Sequence, residues 1–191
     1  GIAAGLVVGK PAGILLTESD SGMETQTLVT LGDEPYVRTR EVIVHEMVHQ
    51  WYGDLVTPTD WRDVWMNEGM TMYLQLVYRA EEEGRDIDSV MRDVAADDQR
   101  WRDQAGPPGR YRKRSFGDGN VYYCPAVMWN ELRHQVGDEE FWRLVRDWPR
   151  ERAFDNATRQ EWFDWLEAET GLELTAFFDA WIMGETTPPT T

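Results

Sequence analysis

The sequence predicts an α+β domain in which a short β-rich segment precedes a longer helical one. Residues 1–40 contain stretches such as GILLTESD and METQTLVTL, whose β-branched or alternating apolar residues are bounded by Gly and Asp. In residues 41–191, apolar residues recur mostly at helical spacing. We therefore assign residues 1–191 to a single domain, and we expect it to be part of a longer protein, since it starts at GIAAGLVV without an initial Met.

The helical part divides into several predicted helices. They cover residues 41–52, 64–83, 86–104, 122–136, 138–148, 158–170 and 174–182. Two starts are marked clearly: Thr158 and Glu161 form a capping box, and Asp138 precedes an apolar stripe that begins at Phe141. Residues 104–120 form a long loop rich in Gly, Pro and Arg, which is either a plain surface connection or the rim of a site.

Composition excludes several classes of protein. Hydrophobic residues make up 41% and Trp numbers 10, so a sizeable core is expected. The formal charge of −16 argues against a nucleic-acid-binding surface, because phosphate binding needs clustered Lys and Arg. No apolar run approaches the roughly 20 residues of a membrane span. One cysteine excludes an intrachain disulfide.

The segment IVHEMVHQWYG contains His45 and His49, which lie about 40° apart on a helix surface and about one turn apart along it. Both can reach one metal ion, although two ordinary histidines could share this spacing. Glu46 projects about 100° from His45, too far round to be an equivalent ligand but well placed to act on a water molecule at the metal. Met47 and its apolar neighbours are expected to form a separate packing face.

Glu68 supplies the expected third ligand. Eighteen residues (50–67) separate it from His49, and it lies near the start of the next predicted helix, off that helix's apolar stripe. Catalytic zinc sites use three protein ligands and a water molecule, and two histidines with one glutamate are one such set. The alternative is an ordinary exposed helix glutamate.

These motifs together resemble the gluzincin metallopeptidases and, among them, the M1 aminopeptidase family. The spacing from His45-Glu46-x-x-His49 to the N-E-G of Glu68 is the family's zinc motif. SGMET (21–25) resembles its G-A-M-E-N strand, NVYYCPA (120–126) its V-Y-x-K-G-A segment, and FDNATRQEWFDWLEAETG…FFDAWI the end of its catalytic domain. The similarity covers about residues 12–183 and implies a thermolysin-like fold, with a small sheet whose edge strand follows the cleft.

The resemblance also implies a role for each matching residue. His45, His49 and Glu68 would hold one zinc ion, and Glu46 would be the general base. Glu24 would bind the α-ammonium group of the substrate, and the strand containing Gly22 and Met23 would pair with its backbone. Tyr122 would donate a hydrogen bond to the oxyanion.

The chain departs from the family pattern around that tyrosine. Tyr123, Cys124 and Pro125 follow Tyr122, where the family has a variable residue, Lys and Gly, so the sequence leaves open which tyrosine faces the metal. Cys124 is interpreted as a buried thiol and Pro125 as a residue of a helix's first turn. Gln75 stands where a glutamate is common, and we expect it to weaken the hydrogen bond that orients a histidine ligand.

Three functions remain open on the sequence. The first is a zinc aminopeptidase acting on peptides with a free N-terminus. The second is a thermolysin-like zinc endopeptidase, against which Glu24 argues, and the third is a catalytically silent peptide-binding module, against which the intact metal set and Glu46 argue. The resemblance further implies a partner within the parent protein: a β-rich N-terminal domain that precedes this region and helps to close the amine pocket.

Overall fold

A computed structural model describes residues 13–112 and 117–191. The strands are β1 (Gly13–Leu16), β2 (Gly22–Met23), β3 (Leu28–Leu31), β4 (Val56–Pro58) and β5 (Asp155–Ala157). The helices are α1 (Arg40–Val48), α2 (Trp65–Glu83), α3 (Ile87–Ala95), α4 (Asp98–Ala105), α5 (Gly119–Val136), α6 (Asp138–Glu151), α7 (Arg159–Thr170) and α8 (Thr175–Phe178). Short 3-10 turns cover Trp61–Asp63 and Pro108–Arg110, and π-helical Asp179–Met183 extends α8. The predicted β-type stretch before residue 13 and the middle of the predicted loop, residues 113–116, lie outside the described residues.

The order of strands first and helices after confirms the predicted α+β class. Strands β1, β3 and β2 lie side by side in that order, with β1 parallel and β2 antiparallel to β3. Val29 and Leu31 of β3 pack against apolar residues of α1, which fixes the sheet beside that helix. Strand β2 is therefore an edge strand next to α1, as the family resemblance implies.

Strand β1 exposes its apolar side chains on both faces. Ile14, Leu15 and Leu16 are 52%, 47% and 56% exposed. Among the described residues, the outer edge of β1 has no strand partner. Strands that are apolar on both faces are usually covered on both, so we expect further protein to cover β1.

The main core lies between the helices. Helix α2 packs against α5, α1 and α3, and the buried rings of Trp129 and Trp148 lie 4.7 and 5.4 Å from that of Trp162. Trp148, Trp162 and Trp181 are buried in this core, and Trp142 and Trp165 are partly buried at its margin. None of the helices in the described ranges is long and apolar enough to cross a bilayer.

Several predicted boundaries need correction. The predicted helix 86–104 is two helices, α3 and α4, because the chain turns at residues 96–97. Arg102 of α4 forms a buried ion pair with Asp98 and donates hydrogen bonds to the carbonyls of Trp181 and Gly184, which anchors α4. The parallel pair β4–β5 was not predicted, since three-residue strands give no periodic signal. The Thr158–Glu161 capping box is confirmed at the start of α7.

Candidate active site

Helix α1 turns its histidine face inward. His45 and His49 are 8% and 1% exposed, whereas Met47, expected on the packing face, is 37% exposed. The predicted packing face is therefore only partly buried: Ile43 packs against the cluster of Val29 and Leu31, and Val48 packs against the main core. Helix α2 lies across the histidines, so the fold covers the polar face of α1 as well.

Glu68 completes a compact set of ligand atoms. Its Oε2 lies 3.3 Å from the Nε2 atoms of both histidines, and those two nitrogens are 3.1 Å apart. Ligands placed 2.0–2.1 Å from a tetrahedral zinc ion stand about 3.3 Å from one another. The spacing of the three atoms therefore fits a zinc ion, and Glu68, which is 6% exposed, is not an ordinary surface glutamate.

The other ring nitrogens show which tautomers are present. His45 Nδ1 lies 2.9 Å from Oε1 of Gln75, and His49 Nδ1 lies 2.8 Å from the carbonyl oxygen of Tyr52. A carbonyl oxygen only accepts, so each Nδ1 carries a hydrogen, and each Nε2 presents a lone pair once its ring is neutral. Two lone pairs and a carboxylate then face one point, an arrangement that a cation stabilises. Gln75, expected to weaken this orientation, supplies the acceptor for His45.

The charges buried at this site also favour a bound cation. Burial lowers the pKa of His49, but the hydrogen bond and charge of Glu68 outweigh it and raise the pKa to about 9. Burial raises the pKa of Glu68, but its bonds to both histidines lower it to about 2. Glu68 is thus ionised, and the site attracts a positive charge, which a proton or a metal ion can supply.

Glu46 lies beside this set and against the edge strand. It is 6% exposed, and a Cβ atom added at Gly22 would lie only 2.2 Å from its Oε1. Burial raises the pKa of Glu46 to about 7, opposed by His49 and reinforced by the negative charges of Glu24, Glu68 and Asp54. Gly22 is therefore the residue type that lets β2 approach this carboxylate.

Glu24 follows β2, and its carboxylate lies near Glu46 and His49. One of its carboxylate oxygens, one of Glu46 and a ring nitrogen of His49 all lie within 4.8 Å of one another. Met23, the neighbouring strand residue, is 52% exposed and sits on the open edge of the sheet. The glutamate that resembles an amine-binding residue thus stands next to the candidate metal ligands.

Helix α5 brings Tyr122 to the site and turns Tyr123 away. The Tyr122 ring lies 6.1 Å from that of His45, whereas Tyr123 stacks on Trp101 at 4.6 Å. Burial, and then the charges of nearby carboxylates led by Glu68, raise the pKa of Tyr122, so its hydroxyl stays protonated and able to donate.

The departures after Tyr122 are accommodated by packing. Cys124 is buried, as predicted. Helix α5 begins at Gly119, so Pro125 stands in its second turn and not its first, which corrects the prediction. A Cβ atom at Gly69 would lie 2.5 Å from the Pro125 ring, so the glycine beside Glu68 makes room for the proline.

The sequence analysis missed three polar residues of the site. The Thr71 hydroxyl lies 3.2 Å from His49 Nδ1, and Gln50 and Asp54 lie behind Glu24. Thr71 had a detectable signal, because Glu68, Thr71 and Gln75 form a polar stripe on an otherwise buried helix. Gln50 and Asp54 follow the zinc motif with no spacing that marks them.

Comparison with known proteins agrees with this geometry. Residues 19–181 match the family model of the Peptidase family M1 domain. This chain belongs to peptidase family M1. The M1 zinc metallopeptidase of Deinococcus radiodurans, solved as a mutant bound to a Tyr-Ser-Ala substrate, superposes with a TM-score of 0.79 at 27% identity, over 93% of this chain and 40% of that one.

The relatives that this chain matches are longer proteins. Aminopeptidase N of Streptomyces lividans is 26% identical over 88% of this chain and 22% of its own length. Glutamyl aminopeptidase of Bos taurus is 29% identical over 75% of this chain and 16% of its own length. This chain thus spans about a fifth of the length of these relatives.

Proposed function

We propose that this chain is the metal-binding catalytic domain of a zinc aminopeptidase, which releases the first residue of peptides with a free N-terminus. The observation that carries the proposal is the position of Glu24, a carboxylate within 4.8 Å of Glu46 and of the ligand His49. The names of the M1 relatives support it, since they are aminopeptidases.

His45, His49 and Glu68 would hold the zinc ion. Their donor atoms are mutually spaced for a tetrahedral ion, and both histidines are fixed in the tautomer that leaves Nε2 free. When bound, zinc supplies a Lewis acid that lowers the pKa of water and polarises a carbonyl group.

Glu46 would act as the general base. Its carboxylate is not one of the three ligand atoms but lies beside them, so it can take a proton from the attacking water molecule and pass it to the leaving amine. Gly22 allows that position, because any larger side chain would displace the carboxylate.

Glu24 would make the enzyme an exopeptidase. A fixed carboxylate next to the reacting centre forms a charge-assisted hydrogen bond with an α-ammonium group and gains nothing from an internal peptide bond. The open edge of β2, at Gly22 and Met23, would pair with the backbone of the same substrate. Tyr122 would donate its hydroxyl hydrogen to the oxyanion that forms at the scissile carbonyl.

The β-rich domain that precedes this region in the family is the proposed partner within the parent protein. The exposed apolar strand β1 supports this, since Ile14, Leu15 and Leu16 are exposed and the outer edge of β1 is unpaired within the described ranges. Activity should therefore be measured in the intact protein.

Matched substrates with free and N-acetylated termini test the proposal. A charge-assisted hydrogen bond is worth about 1.5–3 kcal/mol, so Glu24→Ala should lower kcat/KM for aminoacyl-naphthylamides by roughly ten- to a hundredfold. The exposed Glu18→Ala on the β1–β2 connection is the control and should change nothing. Equal cleavage of free and blocked peptides by the wild type, unaltered in Glu24→Ala, would instead identify a thermolysin-like endopeptidase.

A further inference from the structure

Gln50, just beyond the end of α1, holds the turn that carries Glu24. Its side chain is 7% exposed. Its Nε2 donates to the carbonyl oxygen of Glu24 at 2.9 Å, and its Oε1 accepts from the backbone N–H of Thr27 at 3.1 Å. One buried amide thus contacts both ends of the β2–β3 connection.

This connection has an unfavourable backbone conformation. Thr27 is exposed and has a φ of +63°, the left-handed region that a β-branched residue rarely adopts. Such a residue persists where its surroundings hold it in place, and these positions cluster at functional sites. The hydrogen bond to Gln50 is made by the N–H of that same residue.

Asp54, four residues beyond Gln50, is bonded to the same connection. A second link joins the same segments, since Gln26 Nε2 donates to the Asp54 carbonyl oxygen at 3.0 Å. Within the described part of the chain, Asp54 Oδ2 is buried and has no hydrogen-bond partner.

We infer that Gln50 is a positioning residue that fixes Glu24 for recognition of the substrate ammonium group. The inference rests on the proposed function. Gln50 contributes no metal ligand atom, and its hydrogen bonds reach the Glu24 carbonyl and the Thr27 N–H, at the two ends of the β2–β3 connection. Loss of these bonds should therefore release Glu24 without releasing the metal.

Gln50→Leu removes the hydrogen bonds and keeps the approximate size of the side chain. In the intact protein we expect kcat/KM for free-amine substrates to fall by roughly tenfold, because a displacement of well under 1 Å weakens a charge-assisted bond without removing it. Cleavage of N-acetylated substrates and zinc content should not change. Gln160→Leu, an exposed glutamine on α7 that bonds to Asp164, is the matched control and should behave as the wild type.

A double-mutant cycle separates positioning from general damage. If Gln50 acts through Glu24, adding Gln50→Leu to Glu24→Ala should change the preference for free over acetylated substrates by less than about twofold. A further tenfold loss in the Glu24→Ala background would show an independent effect and overturn the inference.

Hydrogen exchange of the Thr27 amide gives a readout that needs no turnover. We expect Gln50→Leu to accelerate this exchange by at least roughly tenfold and Gln160→Leu to leave it unchanged. Unchanged exchange in folded Gln50→Leu would overturn the inference even in an active aminopeptidase. Accelerated exchange in a protein with no preference for free amines would keep the structural link but contradict the proposed function, and with it the role in amine recognition.

Discussion

Gly22→Ala should disable the enzyme without unfolding it. The new Cβ atom would lie 2.2 Å from Oε1 and 2.7 Å from Cδ of Glu46. Carbon atoms in ordinary contact stand about 3.5–4.0 Å apart, so the carboxylate must move by at least about 1 Å. A misplacement of this size at a reacting group can cost about a hundredfold in rate. Because the clash is with the end of a flexible side chain, and the Gly22 backbone suits alanine, stability should barely change.

The assay is steady-state kinetics of the intact protein with an aminoacyl-naphthylamide, beside zinc content and thermal unfolding. Gly13→Ala, in the same sheet, is the control, since its Cβ atom would meet a Leu28 methyl group at 3.2 Å and the Thr27 carbonyl oxygen at 4.0 Å, and no active-site side chain. We expect kcat to fall by about a hundredfold in Gly22→Ala and by less than about twofold in Gly13→Ala. Wild-type kcat in a folded, zinc-loaded Gly22→Ala protein would refute the assignment of Glu46 as the base.

Three other predictions follow from individual contacts. Tyr122→Phe should lower kcat with little change in KM, since its hydrogen bond is made mainly in the transition state, and Tyr123→Phe should have no such effect; the reverse result would contradict the orientation of α5. Thr71→Val removes the hydroxyl 3.2 Å from His49 Nδ1 and should weaken zinc affinity by about tenfold in competition with a chelator; unchanged affinity would show that Tyr52 alone orients the ring. Burial raises the pKa of Asp88, but hydrogen bonds from α5 side chains lower it to about 2, below the ordinary 3.8. The contribution of Asp88 to folding stability is therefore present above pH 3.8 and lost as the pH falls towards 2. Because Asp88 is only partly buried, Asp88→Asn should lower the free energy of unfolding by about 1 kcal/mol, measured in urea at neutral pH.

The three candidate metal ligands that the fold brings together could be found in the sequence because metal chemistry restricts their spacing. Two imidazoles can share one ion from one helix only at certain separations, and His45 and His49 have such a separation. The choice of Glu68 depended on the resemblance as much as on the helix pattern. Its burial and its 3.3 Å approach to both histidines appear only when α2 is packed across α1.

The wrong or missing predictions concern features that depend on contacts between segments far apart in the sequence or on bonds to the backbone. Met47 was expected to be buried because it is apolar, but α2 covers the opposite, polar face of α1. Strands β4 and β5 are about 100 residues apart in sequence and pair over only three residues. Gln50 bonds to backbone groups of Glu24 and Thr27, and no residue pattern indicates a bond to a main-chain atom.

Zinc content tests the central claim most directly. Elemental analysis of the wild type, Glu46→Gln and His49→Ala after zinc reconstitution and gel filtration should give one zinc per chain in the first two and little in the third. In the proposed mechanism Glu46 is a base beside the metal, whereas His49 is a ligand whose loss would leave only two protein donors. Stoichiometric zinc in folded His49→Ala, or none in the wild type, would contradict the account.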